Sequence, residues 1–405
     1  MDAYRVLLLW QQEGAFIKES GLSPFAMELA LGVCRRHLYL QYLVKSLVKK
    51  TPSLEVCTVL EMGLFQMFVM DVPDHAAVST SVELAKAANL GEGSARLVNA
   101  VLHAARRSGP PTLPPQKVRR VSIENSVPEW LVRRWFDIYG VDRAETLAKS
   151  TLERPSEWLR VNLQKVSAPV LAQKLGLTGA SILYDRYIQV PEDVKLKPVL
   201  ESQAFADGEF SLQNPAAYEV VKLLDLKPGL KVWDACAAPG GKSALMAEME
   251  STLDILASDV SDFRVEKMRD LVDRLGLVNV RLECIDALGG VAGASPFDRI
   301  LLDVPCSNMG VIARRPESKY RITPESVKDL SELQFKLLES ASCALKAEGI
   351  LVYATCSPDP METSQVVNRF VKEHPEFEKL GTPMLPASVD SRFDGFFAQA
   401  LRRKG

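Results

Sequence analysis

Residues 231–243 read KVWDACAAPGGKS. The apolar pair Val232-Trp233 runs into small residues, a proline and two glycines, and helical spacing then resumes in SALMAEM. A strand, a tight turn and a helix in that order form the opening unit of an α/β sheet. The pattern continues downstream. DILASDV leads into FRVEKMRDLVDRLG, NVRLECIDA follows, DRILLDV leads into ESVKDLSELQFKLLESASCAL, and GILVYATCS into METSQVVNRFVKEH. Continuously apolar strands alternating with helices predict a doubly wound, Rossmann-like sheet covered by helices on both faces.

Upstream of this unit the chain changes character. Residues 1 to about 107 carry apolar residues at three- and four-residue intervals, as in AMELALGVCRRHLYLQYLVKSLVKK, and predict an all-α region. The stretch SGPPTLPPQK, residues 108–117, has four prolines that deny both helix and central strand, and reads as a linker. From about 118 to 200 a helix (PEWLVRRWFDIYG), a strand (EWLRVNL), a helix (PVLAQKLG) and a strand (YDRYIQV) suggest a small α+β connecting module. The expected domains are therefore 1–110, 118–200 and 201–405.

Composition narrows the function classes. Lys plus Arg number 49 against 51 Asp plus Glu, so any nucleic-acid binding must come from local basic patches. The N-terminus MDAYRVLLLWQQEG has too short an apolar run for a secretion signal, and no segment approaches the roughly 20 apolar residues of a membrane span. The seven cysteines (34, 57, 236, 284, 306, 343 and 356) include no Cys-x-x-Cys pair, which argues against a disulfide framework or zinc site and for a reducing cytoplasm. The four histidines have no ligand-like spacing, so no metal is expected.

Ligands of open α/β sheets bind beyond the carboxyl ends of the strands. The ending GGKS resembles a phosphate-binding loop, but the glycine required five residues before Gly241 is Cys236, and the G-x-G-x-x-G dinucleotide pattern is also missing. What remains is a glycine turn whose backbone N–H groups and helix N-terminus suit a carboxylate or a nucleoside, and S-adenosylmethionine offers both. Asp259, 19 residues after Gly240, ends the second strand and is placed to accept ribose hydroxyls; Asp286 ends the third, where an adenine amino group would lie. A single acidic residue at a strand end reads first as a helix cap or turn former. Three in register around one glycine turn favour a site.

Cys306 and Cys356 end the fourth and fifth strands. Strands in that order are neighbours in such sheets, so the two thiols are expected across one cleft. Each is flanked by breakers of regular structure, Pro305 before one and Ser357-Pro358 after the other. Cys34, Cys57, Cys284 and Cys343 read as small hydrophobes, and Cys236 as a packing residue of the glycine turn.

Together DACAAPGGK, DVPCSNMG, YATCS and the late DGFF resemble the RNA (cytosine-5) methyltransferases of the Sun/Fmu type. The N-terminal half is similar too: SVELAKAAN with ARLVNAVLHAARR resembles a NusB-like helical domain, and PEWLVRRWFDIYG with LRVN the connecting module. The resemblance implies S-adenosylmethionine as cofactor, held by Cys236, Ala237, Ala238, Pro239, Gly240, Gly241, Lys242, Asp259, Asp286 and Asp303. It implies 16S ribosomal RNA, not the fully assembled subunit, as partner; the sequence leaves the oligomeric state open, with a monomer favoured.

Analogy with the DNA enzymes would make Cys306 the nucleophile. The resemblance to the RNA enzymes implies instead that Cys356 adds to carbon 6 of the base, that Cys306 assists release, and that Asp303 holds the base. Asn308-Met309 replaces the family's usual Gly-Thr, and Val304 its usual Ala. Candidate phosphate contacts are Arg106-Arg107, Arg119-Arg120, Arg133-Arg134 and Arg314-Arg315. Two rivals stand beside this reading: a transfer-RNA cytosine-5 methyltransferase, and a non-catalytic RNA-binding assembly factor.

Overall fold

Each apolar run of the C-terminal half becomes a strand, and the residues of the central ones point alternately into two cores. The computed structural model describes residues 1–17, 21–291, 296–384 and 394–405. They divide into one unit of Met1–Arg154 with Ile312–Arg321 and a second of Pro155–Val311 with Ile322–Gly405.

The first unit is helical: α1 (Asp2–Glu13), α2 (Pro24–Arg35), α3 (His37–Leu47), α4 (Leu54–Phe68), α5 (Asp74–Ala87), α6 (Glu92–Ser108), α7 (Lys117–Asn125), α8 (Glu129–Tyr139) and α9 (Val141–Ser150). Ser23 starts α2 by accepting from the Ala26 N–H, with Pro24 in the first turn, where its missing N–H costs nothing. Leu7, Val33, Leu40, Val59, Leu60, Val98 and Leu102 of α1 to α6 meet in one buried core. These are the three- and four-spaced positions of the sequence.

The second unit begins with a small antiparallel sheet of β1 (Trp158–Val161), β2 (Ile182–Leu183), β3 (Tyr187–Gln189) and β4 (Phe210–Leu212), in the order β2-β3-β1-β4. Short helices α10 (Ala168–Lys174), α11 (Leu196–Leu200) and α12 (Gln203–Ala206) complete it over a core of Leu159, Val161, Leu171, Ile188 and Phe210.

A larger sheet follows: α13 (Ala216–Lys222), β5 (Lys231–Asp234), α14 (Gly241–Met249), β6 (Asp254–Asp259), α15 (Asp262–Leu275), β7 (Val280–Cys284) and β8 (Phe297–Asp303). After β8 the segment carrying α16 (Ser318–Arg321) belongs to the helical unit, and α17 (Pro324–Cys343), β9 (Leu345–Thr355), α18 (Ser364–Glu373), β10 (Phe377–Met384) and β11 (Phe397–Arg403) finish the sheet. The strand order is β10-β11-β9-β8-β5-β6-β7. From β9 to β7 all pairs are parallel, while β11 runs antiparallel to both β9 and β10.

Period-two alternation explains why both faces are apolar. Ile300, Leu302, Leu351 and Tyr353 face one core with Phe335 and Leu338 of α17 and Phe370 of α18. Leu301, Val352 and Ala354 face the other, with Val220 of α13 and Leu245 of α14. The doubly wound expectation is met. The antiparallel pair β10 and β11 was not foreseen: it closes one end of the sheet by inserting β11 beside β9. Among the described residues no helix is long and apolar enough to cross a membrane, and no cluster of His, Cys, Asp or Glu is arranged to hold a metal.

Candidate active site

The glycine turn is built by its backbone. After Asp234 ends β5, the Ala237 N–H donates to the Ser258 carbonyl on β6 (2.8 Å), and the Gly240 N–H to the Ala237 carbonyl (2.7 Å). Gly240 takes φ 94°, a left-handed conformation that favours glycine, and α14 starts at the next residue. Its free N–H groups thus face the space beyond the strand ends.

That space is a cavity of about 210 Å³, lined by Asp234, Cys236, Ala237, Ala238, Pro239, Gly241, Lys242, Asp303, Asp394 and Phe396, with Gln213 and Asn214 from the β4–α13 connection. The predicted glycine-turn residues other than Gly240 are thereby brought together with Asp303. Asp259 and Asp286 lie outside the lining. Asp259 is buried, binding the Ser261 N–H (3.0 Å) and Arg264 (3.2 Å). Asp286 is exposed and accepts from the Leu288 N–H (3.0 Å), the capping role that a lone acidic residue at a strand end first suggests.

Asp234, the acidic residue that ends the first strand in the deciding motif, is given no role of its own by the sequence. It is 1% exposed; Oδ2 accepts from the Ser243 hydroxyl (2.6 Å), and Oδ1 has no hydrogen-bond partner among the described residues. Burial raises its carboxyl to about 7, against the opposing effects of Ser243 and Lys242. An unpaired polar oxygen lining a cavity is a ready acceptor for a ligand donor.

Beside it Lys242 pairs with Asp303, with its ammonium 4.8 Å from the Phe396 ring centroid. Burial alone would lower the Lys242 ammonium, but Asp303 and Asp234 outweigh it and hold it above lysine's ordinary value. A second support comes from the small sheet. Arg160 on β1, fully buried, donates to the Gly241 carbonyl (2.6 Å) and Gln213 (2.9 Å), and pairs with Glu248 of α14 (2.7 Å). It braces both ends of α14.

The two thiols meet because β8 and β9 are parallel neighbours with Asp303 opposite Ala354. Cys306 Sγ and Cys356 Sγ are 2.8 Å apart. Gly310 donates to the Cys356 carbonyl (2.8 Å) and accepts from the Gly395 N–H (2.9 Å), so the Cys306 loop, Cys356 and the DGFF segment are laced together. A Cβ on Gly310 would lie 2.0 Å from the Gly395 oxygen, hence the need for glycine there.

Glu362, which the sequence did not single out, holds the two loops from behind. Fully buried, it accepts from the Ser307 N–H (2.9 Å) and Gln334 (3.0 Å) on one oxygen, and from the Ser307 and Ser357 hydroxyls (2.5 Å each) on the other. Those partners are the residues immediately after the two cysteines, plus one from α17. Cys356 is held as a thiol: the bond with Cys306 raises its pKa most, burial next, then the charges of Cys306 and Asp303, with Lys242 opposing. Burial likewise raises Cys236, which suits a packing role.

The basic pairs are dispersed over the helical unit. Arg106 pairs with Asp74 (3.1 Å) and Arg133 with Glu129 (3.4 Å), and Arg315 lies 5.8 Å from the Phe16 ring centroid.

A glycine turn at the first strand, with an acidic residue and paired thiols at the tips of its neighbours, defines an α/β methyltransferase. A methyltransferase homologue from Pyrococcus horikoshii is 27% identical, covers 72% of this chain and 100% of its own, and superposes with a TM-score of 0.61. The crystal structure of PH0851 covers 99% and 97% with a TM-score of 0.81 at 23% identity, a likeness of fold.

Family models match in three places: the 16S rRNA methyltransferase RsmB/F at 221–395, the NusB family at 12–107, and the ferredoxin-like domain of RsmF/B-like methyltransferases at 127–196. The probable ribosomal RNA small subunit methyltransferase B of Bacillus subtilis (strain 168) is 35% identical over 100% of this chain and 96% of its own length. The ribosomal RNA small subunit methyltransferase B of Klebsiella pneumoniae (strain 342) is 32% identical over 93% and 89%. The chain belongs to the ribosomal RNA small subunit methyltransferase B family, an RNA methyltransferase family.

Proposed function

We propose that the chain transfers a methyl group from S-adenosylmethionine to carbon 5 of a cytosine in 16S ribosomal RNA, through a covalent adduct between Cys356 and carbon 6. The observation that carries this reading is the meeting of the Cys306 and Cys356 thiols beside the Lys242–Asp303 pair. Cytosine carbon 5 is a poor nucleophile until a thiolate has added at carbon 6.

Cys356 supplies that thiolate. Its addition pushes ring electrons to carbon 5, and Asp303 would hold the base by accepting from the exocyclic amine or, carrying a proton, by donating to N3, which disperses the charge that develops on the ring. After methyl transfer the proton on carbon 5 passes to the thiolate of Cys306, directly or through water; its electron pair re-forms the carbon 5–carbon 6 double bond, the carbon 6–sulfur bond breaks, and Cys356 departs as thiolate. In this way Cys306 assists release. Because Cys356 rests as a thiol, it must lose its proton before attack, and the ammonium of Lys242 favours the charged form.

The cavity residues fit the cofactor. Asp234 Oδ1 offers an unused acceptor, and Ala238, Gly241 and Lys242 would offer the N–H groups of the turn and of the α14 N-terminus. Asp259 and Asp286 would serve its ribose and adenine. When bound, S-adenosylmethionine supplies an electrophilic methyl group. Residues 1–110 would dock RNA as a NusB-like domain, 118–200 connect, and 201–405 catalyse. A reducing cytoplasm suits two thiols that must both stay free.

The test is methyl transfer from labelled S-adenosylmethionine to 16S RNA with nucleoside analysis, joined to bisulfite sequencing of ribosomal and transfer RNA from a deletion strain. 5-Methylcytidine lost at a 16S position supports the reading. Loss confined to transfer RNA, or a methyl group elsewhere on the base, overturns it.

A further inference from the structure

We propose that Asn308 is a positioning residue that sets the reactivity of the Cys356 thiol; this deepens the reading of Cys356 as nucleophile and rests on it. Asn308 sits at φ 61°, in the left-handed region that asparagine and glycine tolerate best. Its side-chain amide is held at both ends. Nδ2 donates to the Cys306 carbonyl (3.2 Å), and Oδ1 accepts from Cys356 Sγ (3.2 Å).

The orientation of the amide follows from chemistry. A backbone carbonyl can only accept, so the NH₂ end must face Cys306 and the oxygen must face the thiol. An amide oxygen welcomes S–H and opposes a thiolate, which would bring two negative ends together. Asn308 thus anchors Sγ in one place and shares its one proton with Cys306, 2.8 Å away.

The groups around the thiol set the balance. Cys306 and Asp303 favour the thiol, whereas Lys242 of the glycine turn favours the thiolate. Glu362 is engaged by Ser307 and Ser357 behind the loops, and Asp394 lines the neighbouring cavity. Ionisation of Cys356 requires breaking the contact with Asn308.

The experiment follows alkylation of the full-length protein by iodoacetamide from about pH 6 to 10, resolved by peptide mass spectrometry, with the Cys306 peptide and a melting curve as references. Asn308→Gly keeps the left-handed backbone and removes the acceptor. The midpoint for Cys356 should fall, and its rate at neutral pH rise by about 2- to 10-fold, as expected for one lost neutral hydrogen bond. Asn308→Asp places a carboxylate against the sulfur and should raise the midpoint.

Opposite shifts support the assignment. Unchanged midpoints, or shifts in one direction for both variants, overturn it. Looser packing alone would raise the high-pH plateau without moving the midpoint, which also counts against it. Alkylation needs no turnover, so methylation retained by Cys356→Ala would overturn the nucleophile reading separately.

Discussion

Replacing Glu362 by alanine removes the carboxylate that joins the two cysteine loops. Four donors lose their acceptor: the Ser307 N–H and hydroxyl, the Ser357 hydroxyl, and one N–H of Gln334. One serine hydroxyl can donate to the other across 3.3 Å, and Gln334 keeps its bond to the Pro305 carbonyl (3.0 Å). The Ser307 N–H, one serine hydroxyl and one N–H of Gln334 are left buried and unpaired, at about 1–3 kcal/mol each, for a loss of about 3–9 kcal/mol. For a unit of this size that lowers the melting temperature by roughly 6–36 °C. Differential scanning calorimetry of the full chain measures it, and methylation below the new midpoint should fall as well, because the loops no longer hold the thiols together. A variant that melts within about a degree of the parent with undiminished methylation would refute the reasoning.

Two further changes probe other parts of the account. Gly310→Ala sets a Cβ 2.0 Å from the Gly395 oxygen, a backbone atom that cannot swing away; it should cost about 1–3 kcal/mol by overpacking and reduce methylation, read by denaturant titration and methyl transfer. Lys319, fully buried in the helical unit with its ammonium on the Arg35 carbonyl (2.8 Å), is lowered to about 7 by burial and by Arg35 and Arg36. Between about pH 7 and the ordinary lysine value near 10.5 the unfolded chain holds a proton that the folded one does not, so this group's contribution to stability rises with pH across that window and is lost as pH falls towards 7. Lys319→Met should flatten that rise in the melting temperature.

Much of the sheet was legible because burial on both faces leaves a plain signal. Ile300-Leu301-Leu302 and Ile350-Leu351-Val352 are unbroken apolar runs, and adjacent parallel strands bring the residues after them together, hence the meeting of Cys306 and Cys356. The edge pair β10 and β11 was not legible: FAQALRR has no clean period, and its strand identity comes from pairing with β9. Asp286 is legible as a cofactor candidate from its position at a strand end, whereas its exposure and its capping of the Leu288 N–H show only in three dimensions. Glu362 escaped notice because its partners are scattered at Ser307, Gln334 and Ser357 and converge only in three dimensions. Asn308 was visible as a departure from the family loop, but its hold on both cysteines depends on a backbone dihedral that sequence does not display.

The central claim concerns which thiol attacks, and it is tested by replacing each cysteine separately and running the denatured reaction with RNA and S-adenosylmethionine on a gel. The account predicts that Cys356→Ala neither methylates nor forms an adduct, while Cys306→Ala accumulates a protein–RNA adduct that survives denaturation. Methylation by Cys356→Ala, together with no adduct from Cys306→Ala, would contradict it.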